Sequence, residues 1–424
     1  MAEITRRALL QSVPISVAGL SGCVARSDGS HPVSEPPTDW PSFRLDQRNT
    51  GYAKGAQEVS DEPSVEWTFE TGDDVWGSPV VVDGTVYVGS ADNYLYALDA
   101  SSGEESWRFQ TGHRVEGSPA VGDGTVYVGS YDQSIYALDA ATGEKRWEYE
   151  ANGLIRGSPT VTDQAVYIGV GCFNLACEWY ATEDSESEEP ADDEPPEVGW
   201  IYSLDPETGE TNWRYEVGSE AVSTPAVNDG TVYVGSSDEY LYAIDAATGE
   251  EKWTYEAADW IWSSPAVAFG TVYVGDFDGN VVAVDESTGE EQWTYNTFGA
   301  YLSSSPAVDD DTVYIGVVPA NYPQGGERND AEVVAIDRRN GGERWSFETD
   351  VLEIGSSPVV TDERVYIGSH SPVESEPTGV HALTTDGDER WLFEVGERGV
   401  GSSPALVDGV LYFGGVDNRV YALE

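Results

Sequence analysis

The stretch SPVVVDGTVYVGS, residues 78–90, decides the fold, because the chain repeats its pattern eight times. Each copy opens on a proline preceded by serine or threonine, and a tryptophan closes each unit. The prolines lie about 40 residues apart where nothing is inserted, and they are Pro79, Pro119, Pro159, Pro225, Pro265, Pro306, Pro358 and Pro404. The tryptophans are Trp67, Trp107, Trp147, Trp213, Trp253, Trp293, Trp345 and Trp391. Such a period, with four short β patterns per unit, is typical of a β-propeller blade.

Each unit divides into four predicted strands. The innermost strand starts at Pro79, where a missing N–H is tolerated. Asp83 and Gly84 predict a hairpin turn, because glycine accepts positive φ. The sequences TVYVG (85–89) and LYALD (95–99) favour the second and third strands, since they are rich in β-branched and aromatic residues. A turn of the form Asp-x-x-Thr/Ser-Gly leads into the tryptophan-bearing fourth strand.

The two ends of the repeat region complement each other. Residues 65–70 form a tryptophan strand with no preceding unit, and the last unit, from Ser403, ends at Glu424 without one. We therefore predict an all-β fold, an eight-bladed β-propeller with four-stranded blades in which strand 65–70 completes the last blade. Closure of this kind removes the exposed sheet edges that invite aggregation.

The charge balance excludes several classes of function. The chain of 424 residues carries 77 acidic and 21 basic residues, a formal net charge of −56, and only three of the cations are lysines. This excludes non-specific nucleic-acid binding through a basic face and argues against docking on anionic lipid. With 39% hydrophobic residues the chain is too apolar to be a disordered acidic tail. An acidic, lysine-poor surface favours adaptation to molar salt over an ordinary acidic secreted protein.

The first residues predict a targeting signal. Residues 5–10 read TRRALL, and the apolar run at 13–20 is too short to span a bilayer. A twin-arginine start followed by a short apolar region indicates an export signal. The sequence LSGC, residues 20–23, resembles a lipobox, in which Cys23 becomes the lipid-bearing N-terminus; the alternative is a cysteine placed there by coincidence.

The predicted organisation has three parts. Residues 1–22 are the export signal, residues 23–39 are a flexible tether, and residues 40–424 are one propeller domain. We expect a monomer on the outer face of the cytoplasmic membrane, which touches the membrane only through the lipid on Cys23.

The repeat resembles the PQQ-type β-propeller family. The Ser-Pro, Val-Tyr-Val-Gly, Tyr-Ala-Leu-Asp and Thr-Gly-Glu-x-x-Trp units carry this resemblance, and so does the opening WPSFR (40–44) with Asp46 and NTG (49–51). It covers residues 40–424. One branch of the family contains BamB-like assembly lipoproteins, which are binding scaffolds, and another contains quinoprotein alcohol dehydrogenases, which use PQQ with calcium. The combination with the signal suggests a haloarchaeal lipoprotein.

Three copies carry insertions, at 170–199, 317–331 and 369–379, all between the second and third predicted strands. In a propeller this loop lies on the same rim as the links between blades, so the insertions mark a working face. The longest contains Cys172 and Cys177, which outside the cell can form a disulfide. Free thiols and a metal pair remain alternatives, although four histidines in the chain leave few further ligands.

Positions that all copies share are expected to serve the blade. The tryptophans then pack between neighbouring blades, and each Asp of the Asp-x-x-Thr-Gly turns caps its own turn. The segment DFDGN (276–280) is superficially similar to a calcium loop, but its counterparts in other copies are hairpin turns and a distal bidentate Glu is missing. We expect no metal site and no catalytic residue.

The position three residues before each repeat proline differs between copies. It holds Trp76, Glu116, Arg156 and Trp262 in four of them, while the residue one earlier is always apolar. Four such side chains at the mouth of the channel would suit recognition of a small ligand or a partner's side chain. The alternative is that Arg156 pairs with Glu116 and the two tryptophans plug the channel.

Three functions are compatible with these observations. We favour a lipid-anchored extracytoplasmic scaffold that binds a protein partner at the cell envelope. The first alternative is a dehydrogenase dependent on PQQ and Ca²⁺, although its adjacent cysteines are absent and no insertion supplies an obvious Glu/Asn/Asp calcium set. The second alternative is a sensor for a sugar or a peptide.

Overall fold

The computed structural model describes residues 37–171, 198–297, 300–319, 331–349, 351, 353–371, 376–396 and 398–424. Within these ranges the chain forms eight antiparallel sheets, one per blade, and no helix. No helix in the described part of the chain is therefore long and apolar enough to cross a membrane. The prediction of an all-β, eight-bladed propeller is confirmed.

Blades one to four follow the chain in sequence order. Blade one consists of β2 (Val80–Val82), β3 (Thr85–Gly89), β4 (Tyr94–Asp99) and β5 (Glu105–Gln110), and blade two of β6 (Ala120–Gly122), β7 (Thr125–Gly129), β8 (Ser134–Asp139) and β9 (Lys145–Glu150). Blade three consists of β10 (Thr160–Val161), β11 (Val166–Val170), β12 (Gly199–Leu204) and β13 (Thr211–Val217). Blade four consists of β14 (Ala226–Asn228), β15 (Thr231–Gly235), β16 (Tyr240–Asp245) and β17 (Glu251–Glu256).

The other four blades repeat this order. Blade five consists of β18 (Ala266–Ala268), β19 (Thr271–Gly275), β20 (Asn280–Asp285) and β21 (Glu291–Asn296), and blade six of β22 (Ala300–Tyr301), β23 (Ala307–Val308), β24 (Thr312–Pro319), β25 (Glu332–Asp337) and β26 (Glu343–Glu348). Blade seven consists of β27 (Val359–Val360), β28 (Arg364–Gly368), β29 (Gly379–Thr384) and β30 (Glu389–Glu394). Blade eight consists of β31 (Ala405–Val407), β32 (Val410–Gly415) and β33 (Arg419–Leu423) together with the N-terminal strand β1 (Val65–Glu70). Blade six has a fifth, two-residue strand, because β24 extends far enough into its insertion to pair with β22.

Closure occurs as the sequence predicts. The N-terminal strand β1 pairs antiparallel with the C-terminal strand β33, and Trp67 lies opposite Ala422. Backbone hydrogen bonds of 2.9 and 3.0 Å between Ser64 and Glu424 extend this pairing to the end of the chain. The last blade thus joins the two ends of the domain without a covalent turn.

Packing between blades explains the invariant residues. The apolar residue four before each proline is buried, as Val115 shows with no exposed surface. It fills the space beside the glycine that ends a second strand, and a Cβ added to Gly89 would lie 2.3 Å from Val115 Cγ1. The indole of Trp67 covers Gly103, where a Cβ would come within 2.6 Å. The tryptophans therefore pack between blades, as expected.

Candidate binding site at the channel mouth

The links between blades and the loops between second and third strands meet on one face. The backbone N–H of Tyr131, in such a loop, donates to the carbonyl of Arg114 in the preceding link. The same bond joins Gly171 to Leu154 and His370 to Glu353, and Gly171 and His370 lie at the starts of two insertions. We call this face the mouth. All three insertions leave β-strands on this face, since they lie between second and third strands.

The other face of the channel is closed by residues 40–53, which we call the plug. Backbone hydrogen bonds of 2.6–2.9 Å join it to the innermost strands of six blades, through Val81, Val121, Val227, Val267, Val308 and Val360. The Asn49 side chain donates to the carbonyls of Thr224 and Pro265, both at 3.1 Å. The opening segment that carried the family resemblance therefore crosses this end of the channel and ties six of the blades together.

Two of the four predicted mouth residues contact each other. The Arg156 guanidinium lies over the indole of Trp262, 5.2 Å from the ring centroid, although a whole link separates the two. Trp262 is fixed from its edge, because its indole N–H donates to Ser237 Oγ at 2.9 Å. This is a cation–π contact, and it orients both side chains at the mouth.

Glu116 belongs to the same group of side chains. It accepts hydrogen bonds from Arg114, at 3.1 Å, and from the Tyr131 hydroxyl. Burial raises the pKa of Tyr131 above its usual value, so the hydroxyl remains a donor. Burial works to lower the pKa of Arg156, but Tyr131, Glu116 and the nearby Glu220 outweigh it and the pKa is raised. Arg156 therefore stays charged at this site.

Trp76 lies elsewhere on the mouth. Its ring meets His370 edge-on with centroids 5.5 Å apart, and it covers Gly401 of the neighbouring link, where a Cβ would come within 2.6 Å. His370 in turn contacts Glu353, with 3.2 Å between Nε2 and Oε2. Of the predicted quartet, the structure thus brings Glu116, Arg156 and Trp262 together, and it places Trp76 against blades seven and eight.

An aromatic cluster beside Trp262 was not predicted from the sequence. Trp260 stacks on Trp262 at 6.2 Å between centroids, Phe277 lies 4.7 Å from Trp262, and Tyr301 lies 5.5 Å from Phe277. Trp260 is 39% exposed, which is unusual for so large an apolar side chain. A signal was present, because the copies also disagree five residues before the proline and in the loop that holds Phe277.

The structure also assembles a Ser–His–Glu chain that the sequence did not suggest. Ser369 Oγ lies 3.0 Å from His381 Nε2, and His381 Nδ1 lies 3.1 Å from Glu389 Oε1. These distances match a nucleophile, base and acid. Ser369 has no exposed surface, however, and its hydroxyl is also bonded to the backbone of Gly379. The buried Ser369 oxygen is out of reach of a substrate. These hydrogen bonds instead join the strands on either side of the third insertion.

The described residues contain no group of three or more His, Cys, Asp or Glu side chains placed to hold one metal ion. In the segment 276–280, Asp276 is buried and accepts three hydrogen bonds from Asn280. The segment is a hairpin turn between β19 and β20, as expected. Burial raises the pKa of Asp276 despite these bonds.

PQQ is a planar quinone with three carboxylates, so it needs an open aromatic face and, with calcium, several carboxylate or amide oxygens. At this mouth Arg156 already covers a face of Trp262. The carboxylates of Glu116 and Glu353 are engaged by Arg114 and His370. The described residues also contain no group of three or more His, Cys, Asp or Glu side chains placed to hold the calcium ion, so they do not fit a PQQ–calcium pair.

The three cysteines for which the sequence predicts a role lie outside the described residues. They are Cys23, at the predicted lipid site, and Cys172 and Cys177, the predicted disulfide within the first insertion. The organisation into signal, tether and domain also stays a prediction.

The fold defines the chain as an eight-bladed β-propeller protein. The family model described as outer membrane protein assembly factor BamB matches residues 58–175, 197–321 and 329–424, and the chain belongs to this family. No curated protein sequence matches the chain.

Solved structures share the fold. Quinohemoprotein alcohol dehydrogenase from Comamonas testosteroni is 18% identical with a TM-score of 0.73, covering 94% of this chain and 81% of its own. BamB from Moraxella catarrhalis is 18% identical with a TM-score of 0.63, covering 85% of this chain and 97% of its own. A europium-containing methanol dehydrogenase is 14% identical with a TM-score of 0.69, covering 91% and 98%. At such identities these likenesses establish the fold.

Proposed function

We propose that this protein is a binding scaffold that holds a protein partner at its channel mouth. The observation that carries the proposal is the aromatic cluster around Trp262, in which Trp260 remains 39% exposed on an acidic protein. Exposed tryptophan and tyrosine beside arginine are the residues that dominate binding energy at protein interfaces. The plug occupies the opposite end of the channel, so we place the partner at the mouth.

The surroundings of the cluster suit recognition of a side chain. Arg156 and Glu116 offer a charged donor and acceptor next to an apolar platform. Aromatic rings supply contact area with little loss of side-chain freedom, and the charged pair selects orientation. The insertions beside this face would add contacts around the rim of the partner.

The protein is further proposed to be a monomer anchored by lipid at Cys23 on the outer face of the cytoplasmic membrane. The variant Cys23→Ser should appear in the medium, because it loses the lipid that is proposed to hold the protein at the membrane. Fractionation of cells followed by immunoblotting measures this. Unchanged membrane retention of the variant would contradict the anchor.

The net charge of −56 supports a high-salt environment. In molar salt, screening acts over a few ångströms, so self-repulsion of the acidic surface largely disappears. Contacts between aromatic rings survive under those conditions. This is a further reason to expect that the partner is held by the aromatic cluster and not by long-range attraction.

The decisive experiment is recovery of the partner from native membranes in high salt. The double variant Trp260→Ala with Trp262→Ala should lose the partner, since it removes the centre of the cluster. Trp76→Ala tests the separate group beside His370. Val65→Ala is the control, because Val65 is 42% exposed but lies in β1 on the outer edge of a blade. Equal recovery with all variants, each with an unchanged unfolding midpoint, would refute the proposal.

The second candidate function is a PQQ-dependent dehydrogenase, because two of the structures that share the fold are alcohol dehydrogenases. Purified protein incubated with PQQ and Ca²⁺ should show no alcohol-dependent dye reduction, because the described residues contain no group of three or more His, Cys, Asp or Glu side chains placed to hold the calcium ion. Robust turnover that disappears with Trp262→Ala would favour the dehydrogenase over the scaffold.

A further inference from the structure

Arg44 is a buried cation at the closed end of the channel. Its residue is 2% exposed, and its backbone adopts a φ of 60°, in the left-handed region that non-glycine residues avoid. Its Nη2 donates to the carbonyl of Pro306 at 2.8 Å, and its guanidinium lies over Gly51, where a Cβ would come within 2.2 Å of Nη2. The plug therefore places this side chain against the innermost strands at some conformational cost.

Most of the hydrogen-bonding capacity of this guanidinium is unused. Nε and Nη1 of Arg44 are buried and have no acceptor in the described part of the protein. The nearest carboxylate that influences it, Asp46, already accepts from Arg48 Nη2 and Thr50 Oγ1, both at 3.0 Å. Arg44 forms no ion pair with a described carboxylate. Burial lowers the pKa of Arg44 to about 9, although Asp46 works in the opposite direction, so the charge persists at neutral pH.

A ring of hydroxyl groups precedes the repeat prolines, one of which accepts a hydrogen bond from Arg44. The residue before each repeat proline is Ser or Thr, and its backbone N–H donates to the hydroxyl of the next blade's residue at 2.9–3.0 Å in seven of eight links. Ser305 of this ring precedes Pro306, whose carbonyl binds Arg44. Because seven of these hydroxyl oxygens accept a backbone N–H, their own protons are available to donate.

We propose that the closed end of the channel binds a halide ion, chloride in the natural setting, through the Arg44 guanidinium and neighbouring hydroxyls of the Ser/Thr ring. A buried cation without a counter-ion is strongly unfavourable, and a small monovalent anion provides both the missing charge and the missing acceptor. Chloride has no donor groups to satisfy, so it suits a site made of donors only. This site is separate from the mouth and does not depend on the proposed scaffold function.

The ion would also hold the plug. Along the plug, Arg44 stands between Pro41, which binds Val121 of blade two, and Gln47, which binds Val227 of blade four, and its side chain reaches Pro306 of blade six. An anion shared by Arg44 and the ring would therefore tie the plug to the channel wall. Removing it should loosen the plug and lower the stability of the domain while leaving the mouth intact.

Chloride titration followed by chlorine NMR tests the site, in sodium gluconate so that sodium stays high throughout. The wild-type protein should broaden the chloride signal in a saturable way, and Arg44→Met should abolish the saturable part. Arg108→Met is the matched control, because Arg108 lies on the outer strand β5 and is half exposed. Saturable broadening that survives in Arg44→Met, or its absence from the wild-type protein, would overturn the proposal and leave Arg44 solvated by water.

A second measurement covers the case in which Arg44→Met does not fold. The unfolding midpoint of the wild-type protein should be higher in sodium chloride or bromide than in sodium gluconate at equal concentration. Arg44→Lys keeps the charge but loses the planar donors, so this halide-specific difference should shrink. An equal midpoint in all three salts for the wild-type protein would refute halide binding.

Discussion

The indole nitrogen of Trp293 lies 2.9 Å from the carbonyl oxygen of Arg338, in the next blade. Six other repeat tryptophans make the same bond to the turn between the third and fourth strands of the following blade. Trp391 is the exception, and its buried Nε1 has no acceptor. The blade after it is the last one, where β33 and β1 meet without a covalent turn, so the carbonyl that would accept is not there.

This difference predicts unequal costs for one substitution. Trp293→Phe should destabilise the domain by about 1 kcal/mol more than Trp391→Phe, because only the first loses a hydrogen bond and leaves a carbonyl unpaired. The two sites are alike in burial and in their aromatic contact, since both tryptophans are 8–9% exposed and both pack on a tyrosine at 5.9 Å, while Trp293 also packs on Gly341 of the turn. Chemical unfolding measures both free energies. Equal losses would show that the bond contributes nothing.

A disulfide across the seam should stabilise the propeller strongly. Glu70 and Arg419 are Cα partners in β1 and β33, and both are exposed. Joining them as cysteines closes nearly the whole domain into one loop, for which chain entropy gives more than about 4.7 kcal/mol, against roughly 3 kcal/mol for a loop of about 15 residues. The control is Ser134 with Glu150, the same position within the covalent hairpin of blade two. The oxidised and reduced unfolding midpoints of each variant should be compared, and a seam gain no larger than the hairpin gain would contradict the prediction.

Asn49 should be sensitive for two separable reasons. Its amide satisfies carbonyls at the floor of the channel, and its φ of 54° disfavours residues with a Cβ. Asn49→Ala should lose the hydrogen bonds, about 1–3 kcal/mol, and add left-handed strain of roughly 1 kcal/mol. Asn49→Gly should lose the bonds alone. If glycine proves as costly as alanine in chemical unfolding, the strain argument fails.

Stability should fall at acid pH in part through Glu389. The hydrogen bond from His381 holds the pKa of the Glu389 carboxyl below its usual value. A carboxyl with a lowered pKa in the folded state stabilises the fold above the unfolded pKa of about 4.3, and this contribution is lost as the pH falls further. The stability difference between the wild-type protein and Glu389→Gln should therefore shrink from pH 6 towards pH 3. Glu290→Gln, on an exposed turn, is the control, and a pH-independent difference would refute the assignment.

The repeat allowed the propeller fold to be predicted from the sequence. Each blade is encoded by local signals, such as the turn at Asp83 and Gly84, and the comparison of eight copies predicted the closure by strand 65–70, while the register of β1 with β33 comes from the structure. The same comparison of copies pointed to the mouth, because Arg156 and Trp262 occupy a position that the blade does not need. It did not reveal that Arg156 reaches Trp262, because that depends on the length and direction of side chains from two different links.

The sequence by itself determined the blades, their number and their closure, since hydrophobic alternation and turn chemistry act within a few residues of the chain. Only the tertiary structure decided which distant side chains meet. Ser369, His381 and Glu389 became one hydrogen-bonded chain through strand pairing within a blade. Arg44 became a buried cation because the plug crosses the channel and presses it against Pro306. Such contacts join segments that no local pattern relates, so they follow from packing alone.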